Sequence, residues 1–261
     1  MIFDPSWKTG HVIGPYKENE LQYRDHPELA GAAAIASNDV DLRPDLPPIH
    51  TQLAQDCCAH ATSTLAWVMA QVLRIALPFP GEPSVLHLYG NARLRARPRE
   101  PLRDEGSILA FMFEGAAEDG LVAEKDWPET VENIDAIPPD DVWRTAERAV
   151  LTGARKLSDG AGSVPELIAA LRRRRPSTIC MRVDERFGGI GADVYTSPGG
   201  LIVGSHCMLV VGYISSVRAF IIRNSWGESF GDLGYALVHE DIVARLSYEK
   251  YTFDVGRMVV R

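Results

Sequence analysis

Ser205-His206-Cys207-Met208-Leu209-Val210-Val211-Gly212-Tyr213, followed by Phe220-Ile221-Ile222-Arg223-Asn224-Ser225-Trp226-Gly227, is the stretch on which the reading of this chain turns. Both parts are short apolar runs of strand character, and each carries one polar group at its border: His206 in the first, Asn224 in the second. Two neighbouring strands would bring the imidazole and the amide together. An amide oxygen holds a histidine in one tautomer and orientation without adding a charge, as a general base requires. The natural nucleophile lies far upstream, in Asp56-Cys57-Cys58-Ala59-His60-Ala61. From Cys57 to Leu77 the chain lacks Gly and Pro, and Leu65, Val68, Val72 and Ile75 recur at helical spacing. Either cysteine therefore opens a long buried helix, whose free N–H groups and dipole stabilise a thiolate.

The rest of the chain frames these elements. Residues 1–47 read as an extended lead-in, Ala-rich from Ala30 to Ala36, and residues 48–261 as one catalytic domain. Within it, helical patterns at 57–77, 84–97, 107–120 and 163–175 form a helical lobe over about 48–175. Strand-like runs at 178–183, 208–213, 220–223, 235–238 and 255–260 form a β lobe over about 176–261. The fold class is α+β, with a ligand cleft expected between the lobes.

At 261 residues, 46% hydrophobic and 24% charged, the chain can bury a sizeable core. A net charge of −8 argues against nucleic acid or an anionic membrane as partner. The Arg172–Arg175 run reads as the solvated end of a helix. No basic and apolar leader opens the sequence, and four cysteines without a regular framework fit a reducing compartment, so a cytoplasmic location is expected.

No cofactor or metal is expected. Cys57, Cys58 and Cys207 with His60 match no common zinc spacing. His60 is expected in a buried helix position, Cys180 and Cys207 as small core residues, and His11, His26, His50, His87 and His239 as surface or core groups.

Together these motifs resemble the papain-like cysteine peptidases. Gln52 and Cys57-Cys58-Ala59-His60-Ala61 look like that family's glutamine and nucleophile helix, and the Asn224-Ser225-Trp226-Gly227 box, with Gly231, Gly234 and Tyr235 after it, is the most specific match. The likeness covers roughly residues 40–240 and implies a two-lobe papain-like fold. It implies Cys57 as nucleophile, His206 as base, Asn224 as the group orienting it, and Gln52 in the oxyanion hole. Cys58 is the alternative nucleophile: the family's glutamine spacing points to it, whereas Ala59 and Ala61 at the small helix positions favour Cys57.

Glu105, Gly106, Ser107, Ser205 and Trp226 are carried over as cleft-wall residues, Trp226 also shielding the His206–Asn224 contact from water. Two departures stand out. Asp56 adjoins the thiol and would raise its pKa, and the stretch before Cys57 is too short for a long helical inhibitory propeptide. Restraint then falls to compartment, substrate choice or the short N-terminal segment. The implied activity is hydrolysis of a peptide or protein. Transfer of the acyl group to an amine, as in a ligase or cyclase acting on a small amide or acyl substrate, and an inactive binding module are the alternatives.

Overall fold

The computed structural model describes residues 8–14, 39–146, 149–253 and 258–260. The helices are α1 (Cys57–Leu73), α2 (Val85–Ala96), α3 (Leu109–Glu118), α4 (Asp140–Ala146), α5 (Ser163–Arg172), α6 (Glu185–Gly188) and α7 (Glu240–Leu246). The strands are β1 (Val40–Asp41), β2 (Ala149–Leu151), β3 (Ala154–Lys156), β4 (Ser177–Asp184), β5 (Val194–Tyr195), β6 (Ile202–Ile214), β7 (Ala219–Arg223), β8 (Tyr235–His239), β9 (Ser247–Phe253) and β10 (Met258–Val260).

Helix α1 is buried on nearly all sides through its first thirteen residues except Trp67, which is why its sequence is apolar without a clear polar face. Two of its buried hydroxyls are satisfied locally: Ser63 donates to the Pro83 carbonyl and Thr64 to Glu82, whereas Thr62 Oγ1 has no partner. The helix stops before the prolines that were expected to end it. Arg74 takes a left-handed conformation and returns its N–H to the carbonyls of Ala70 and Gln71, closing the last turn. Ser84 caps α2 as its sequence predicts, accepting from the His87 N–H. Helix α5 instead begins from Gly162, and the Glu166 carboxylate holds the Ser158 N–H and hydroxyl.

The main sheet runs β3-β9-β4-β6-β7-β8-β5, with β1 added to the end of β6. Strand β6 is its spine, antiparallel to both β4 and β7, and it begins well before the apolar run starting at Met208, so that Ser205 and His206 lie within the strand. Gly212 is required where β1 crosses: a Cβ there would stand 2.6 Å from the Val40 carbonyl oxygen.

The sheet does not respect the expected lobe boundary, since β1 and β3 enter it from before residue 176. Strand β9 was not anticipated, because Ser-Tyr-Glu-Lys-Tyr-Thr-Phe reads as polar. Its Lys250 is fully buried, with Nζ on the Ser247 carbonyl and 3.7 Å from Asp159. The Ala30–Ala36 stretch, His26 and Val255 lie outside the described residues.

Candidate active site

Cys57 is the first residue of α1, and His206 and Asn224 come from β6 and the residue after β7. Strands β6 and β7 pair with Leu209 opposite Arg223, which sets the two polar side chains at the same end of the sheet. His206 Nε2 and Asn224 Oδ1 lie 2.6 Å apart. The amide oxygen can only accept, so Nε2 carries the proton and Nδ1 keeps its lone pair. The same oxygen accepts from the Ser225 N–H at 2.7 Å. The Trp226 indole stacks on the His206 ring at 4.4 Å between centroids and 24° between planes, keeping water from that bond.

His206 Nδ1 has no hydrogen-bond partner, and the His206 ring draws the Cys57 thiol pKa down against larger upward effects. The largest of those is burial, followed by Cys58, and the thiol ends well above its ordinary value. Cys57 Sγ also accepts from the Cys207 N–H at 3.3 Å. Cys58 faces another way. Its sulfur lies 3.7 Å from the Ser107 carbonyl and packs among Cys180 and Cys207, and burial pushes its pKa to about 11.

Gln52 joins the two sides of the site. Its Oε1 accepts from Ser225 Oγ at 2.5 Å, and its Nε2 donates one hydrogen to the Ala54 carbonyl at 2.7 Å. Asp56 does not oppose the thiol as expected; it turns to His60, 3.6 Å away, while Glu129 approaches the same Nε2 to 3.3 Å. Burial raises Asp56 to about 7, and chiefly the Asp56 charge lifts His60 to about 9 against its own burial. The spacing of Asp56 and His60, four residues apart at a helix start, was a sequence signal for this pair.

Residues 8–14 form a strap across the site. Ser107 N donates to the Gly10 carbonyl at 2.7 Å and Val12 N to the Ser107 carbonyl at 2.9 Å, while His11 N reaches the Ser205 carbonyl at 3.3 Å. The Trp226 indole N–H donates to the Lys8 carbonyl at 2.8 Å. Cys57 and His206 are both 0% exposed.

Of the expected wall residues, Gly106, Ser107, Ser205 and Trp226 therefore border the strap. The Glu105 carboxylate is exposed and paired with Arg97 at 3.1 Å. His11 was not anticipated at the site. Its Nε2 lies 2.7 Å from Glu249 and its Nδ1 2.7 Å from the Tyr248 hydroxyl.

Two groups of donors have the spacing to take a cation, His11–Cys58–Cys180 and Asp56–His60–Glu129, with the donor atoms of each set within 4.8 Å of one another. Both ring nitrogens of His11 already have oxygen partners; His60 Nε2 faces both carboxylates of the second set, whereas the two buried Asp56 oxygens have no hydrogen-bond partner.

The fold recurs in known proteins. The fold is similar to that of xylellain, a cysteine protease from Xylella fastidiosa, at 20% identity, with 97% of each chain covered and a TM-score of 0.82. It is also similar to digestive procathepsin L2 from Tenebrio molitor larval midgut, at 19% identity over 94% of this chain and 78% of that one, with a TM-score of 0.71. In sequence, the chain is 33% identical over 101 residues to cysteine proteinase 3 of Entamoeba histolytica and 33% identical over 87 residues to gamete and mating-type specific protein A of Dictyostelium discoideum. Those alignments span 31% and 19% of the two relatives and 36% and 33% of this chain. The sequence profile described as papain family cysteine protease matches residues 105–252, beginning after Cys57 and taking in His206, Asn224 and the chain from β6 to Thr252 in β9. The chain belongs to the papain family of cysteine proteases.

Proposed function

We propose that the chain is a peptidase in which Cys57 attacks the carbonyl carbon of a peptide bond, with His206 as general base and acid. The observation that carries this reading is the His206 ring, whose Nε2 is tied to Asn224 while Nδ1 stands bare beside the Cys57 thiol. In the first step Nδ1 takes the thiol proton as sulfur bonds to the carbonyl carbon, and the carbonyl electrons move to oxygen. The Cys57 N–H and the second Nε2 hydrogen of Gln52 are the donors for that oxyanion. Collapse of the intermediate breaks the C–N bond, and the imidazolium returns its proton to the departing amine. Water then cleaves the thioester by the same route in reverse.

The strap supports a peptide as substrate. Ser107 offers both its N–H and its carbonyl to an extended backbone, as it does to Gly10 and Val12. It also supports reading the described state as a resting one, since the thiol is buried and residues 8–14 must leave before a substrate enters. Asp56 turns toward His60, and hydrolysis is the simpler fate of the acyl-enzyme.

The test is labelling by a peptidyl epoxide or haloketone, with mass mapping of the modified cysteine, in the wild type, Cys57→Ala and Cys58→Ala. Label on Cys57 in the wild type, abolished in Cys57→Ala and retained in Cys58→Ala, is the expected result. Label on Cys58, with peptide cleavage surviving in Cys57→Ala, overturns the assignment.

A further inference from the structure

The carboxylate next to the candidate nucleophile forgoes the bonds that its position offers. Asp56 is the N-cap of α1, where an aspartate ordinarily accepts from an N–H of the first turn, yet its side chain makes no capping bond. Asp56 is 0% exposed, and both of its carboxylate oxygens lack a hydrogen-bond partner. A carboxylate buried in this way is costly unless a cation stands close to it.

His60, one turn along the same helix, and Glu129 point at the same place. One donor atom from each of the three residues lies within 4.8 Å of the other two. The separations are not those of ion pairs. His11 meets Glu249 at 2.7 Å and His50 meets Glu82 at 2.9 Å, as hydrogen-bonded histidine–carboxylate pairs do. His60 Nε2 instead stands 3.6 Å from Asp56 Oδ1 and 3.3 Å from both oxygens of Glu129. Ligand atoms about 2.0–2.2 Å from a tetrahedral zinc ion are about 3.3–3.6 Å from one another. Both separations from Nε2 fall in that interval.

The donor chemistry agrees. An imidazole with two carboxylates suits zinc, whereas magnesium and calcium surround themselves with six or more oxygens. The charges of Asp56 and Glu129 balance those of a divalent ion. Glu129 is also braced as metal ligands are: its Oε1 accepts from the Leu53 N–H at 2.7 Å and its own N–H donates to Glu124 at 2.6 Å, which leaves Oε2 for an ion.

We propose that Asp56, His60 and Glu129 form a binding site for a divalent cation of the zinc type, with water as the fourth ligand. Bound there, the ion ties the residue before Cys57 to the first turn of α1 and to Glu129, and so stiffens the start of the nucleophile helix. The site is independent of the peptidase reading, because none of its three ligands takes part in that chemistry.

The test uses the full chain carrying Cys57→Ala, which removes one competing thiol. After treatment with a chelator it is titrated with Zn2+ in a calorimeter at about pH 8. One ion per chain should bind, and saturating Zn2+ should raise Tm by several degrees. Added Asp56→Asn or Glu129→Gln should each weaken binding at least about tenfold, while added His11→Gln, in the other donor set, should leave it unchanged. Co2+ in place of Zn2+ should give visible d–d bands without a thiolate-to-metal charge-transfer band. Failure to bind Zn2+, an affinity unchanged by the carboxylate substitutions, or a thiolate band with Co2+ overturns the proposal. If Asp56→Asn does not fold, Glu129→Gln, at the partly exposed edge of the site, decides between the same outcomes.

Discussion

Alanine at Gly10 is the sharpest perturbation of the strap. An ideal Cβ on Gly10 would lie 1.7 Å from the Gln55 carbonyl oxygen, 2.2 Å from its carbon and 2.7 Å from its Cα. These are backbone atoms two residues before Cys57, so they cannot yield without shifting the start of α1. The strap must lift instead.

Six described hydrogen bonds seat it there: from Ser107 N, Val12 N, His11 N and the Trp226 indole, and between the His11 ring and Glu249 and Tyr248. At about 1 kcal/mol net for each bond, lifting removes at most about 6 kcal/mol, or about ten-thousandfold in the ratio of closed to open states. The assay is the second-order rate of Cys57 alkylation between pH 6 and 10, with mass mapping. Gly10→Ala should react at least about tenfold and at most about ten-thousandfold faster than the wild type.

The pH profile should move as well. Burial is the main reason that the thiol pKa is high, so rehydration lowers the pH at which the rate reaches half its maximum. A folded Gly10→Ala protein with unchanged rate and midpoint would refute the assignment of the shielding to residues 8–14.

Two further substitutions probe the site and its surroundings. Asn224→Ala removes the 2.6 Å partner of His206 Nε2; kcat should fall about ten- to hundredfold with little change in KM, because the bond orients the base and leaves substrate contacts alone. His60→Gln tests the charge cluster behind the nucleophile. The folded pKa of His60 is raised from 6.5 to about 9, so its contribution to stability is complete below 6.5 and lost as pH rises through about 9. At about 1.4 kcal/mol per unit this is about 3 kcal/mol. Thermal unfolding of the wild type should drop by several degrees between pH 6.5 and 9.5, and a His60→Gln protein whose Tm falls just as steeply would show that the loss arises elsewhere.

The parts of the site that could be read from the sequence are those whose signals are local. His206 and Asn224 border apolar runs of strand type, and the pairing of β6 with β7 follows from their closeness in the chain. The helix opening at Cys57 is legible for the same reason, from an unbroken apolar period. His11 had no such signal: its carboxylate partner lies 238 positions away on β9, a strand hidden by the half-buried Glu249 and the buried Lys250, whose charges meet tertiary partners. Choosing between Cys57 and Cys58 likewise needed three dimensions, since adjacent residues on a helix point about 100° apart. One sulfur reaches the imidazole's neighbourhood and the other the Ser107 carbonyl.

The contact between Gln52 and Ser225 belongs to a longer seam. Gln52 N donates to the Ser225 carbonyl and Gly227 N to the His50 carbonyl, Thr51 bridges Trp226, and the Arg223 guanidinium holds the carbonyls of Pro47 and Pro48. The segment leading into α1 is thereby laced to the turn that follows β7 on one flank of the cleft. On the facing flank the strap joins Ser107 and Ser205 through three backbone bonds, and its His11 ring meets Tyr248 and Glu249. In the peptidase reading, Gln52 and Asn224 both belong to this seam at residues 50–52 and 224–227, so the spacing between oxyanion donor and orienting amide is set by bonds that do not involve the strap.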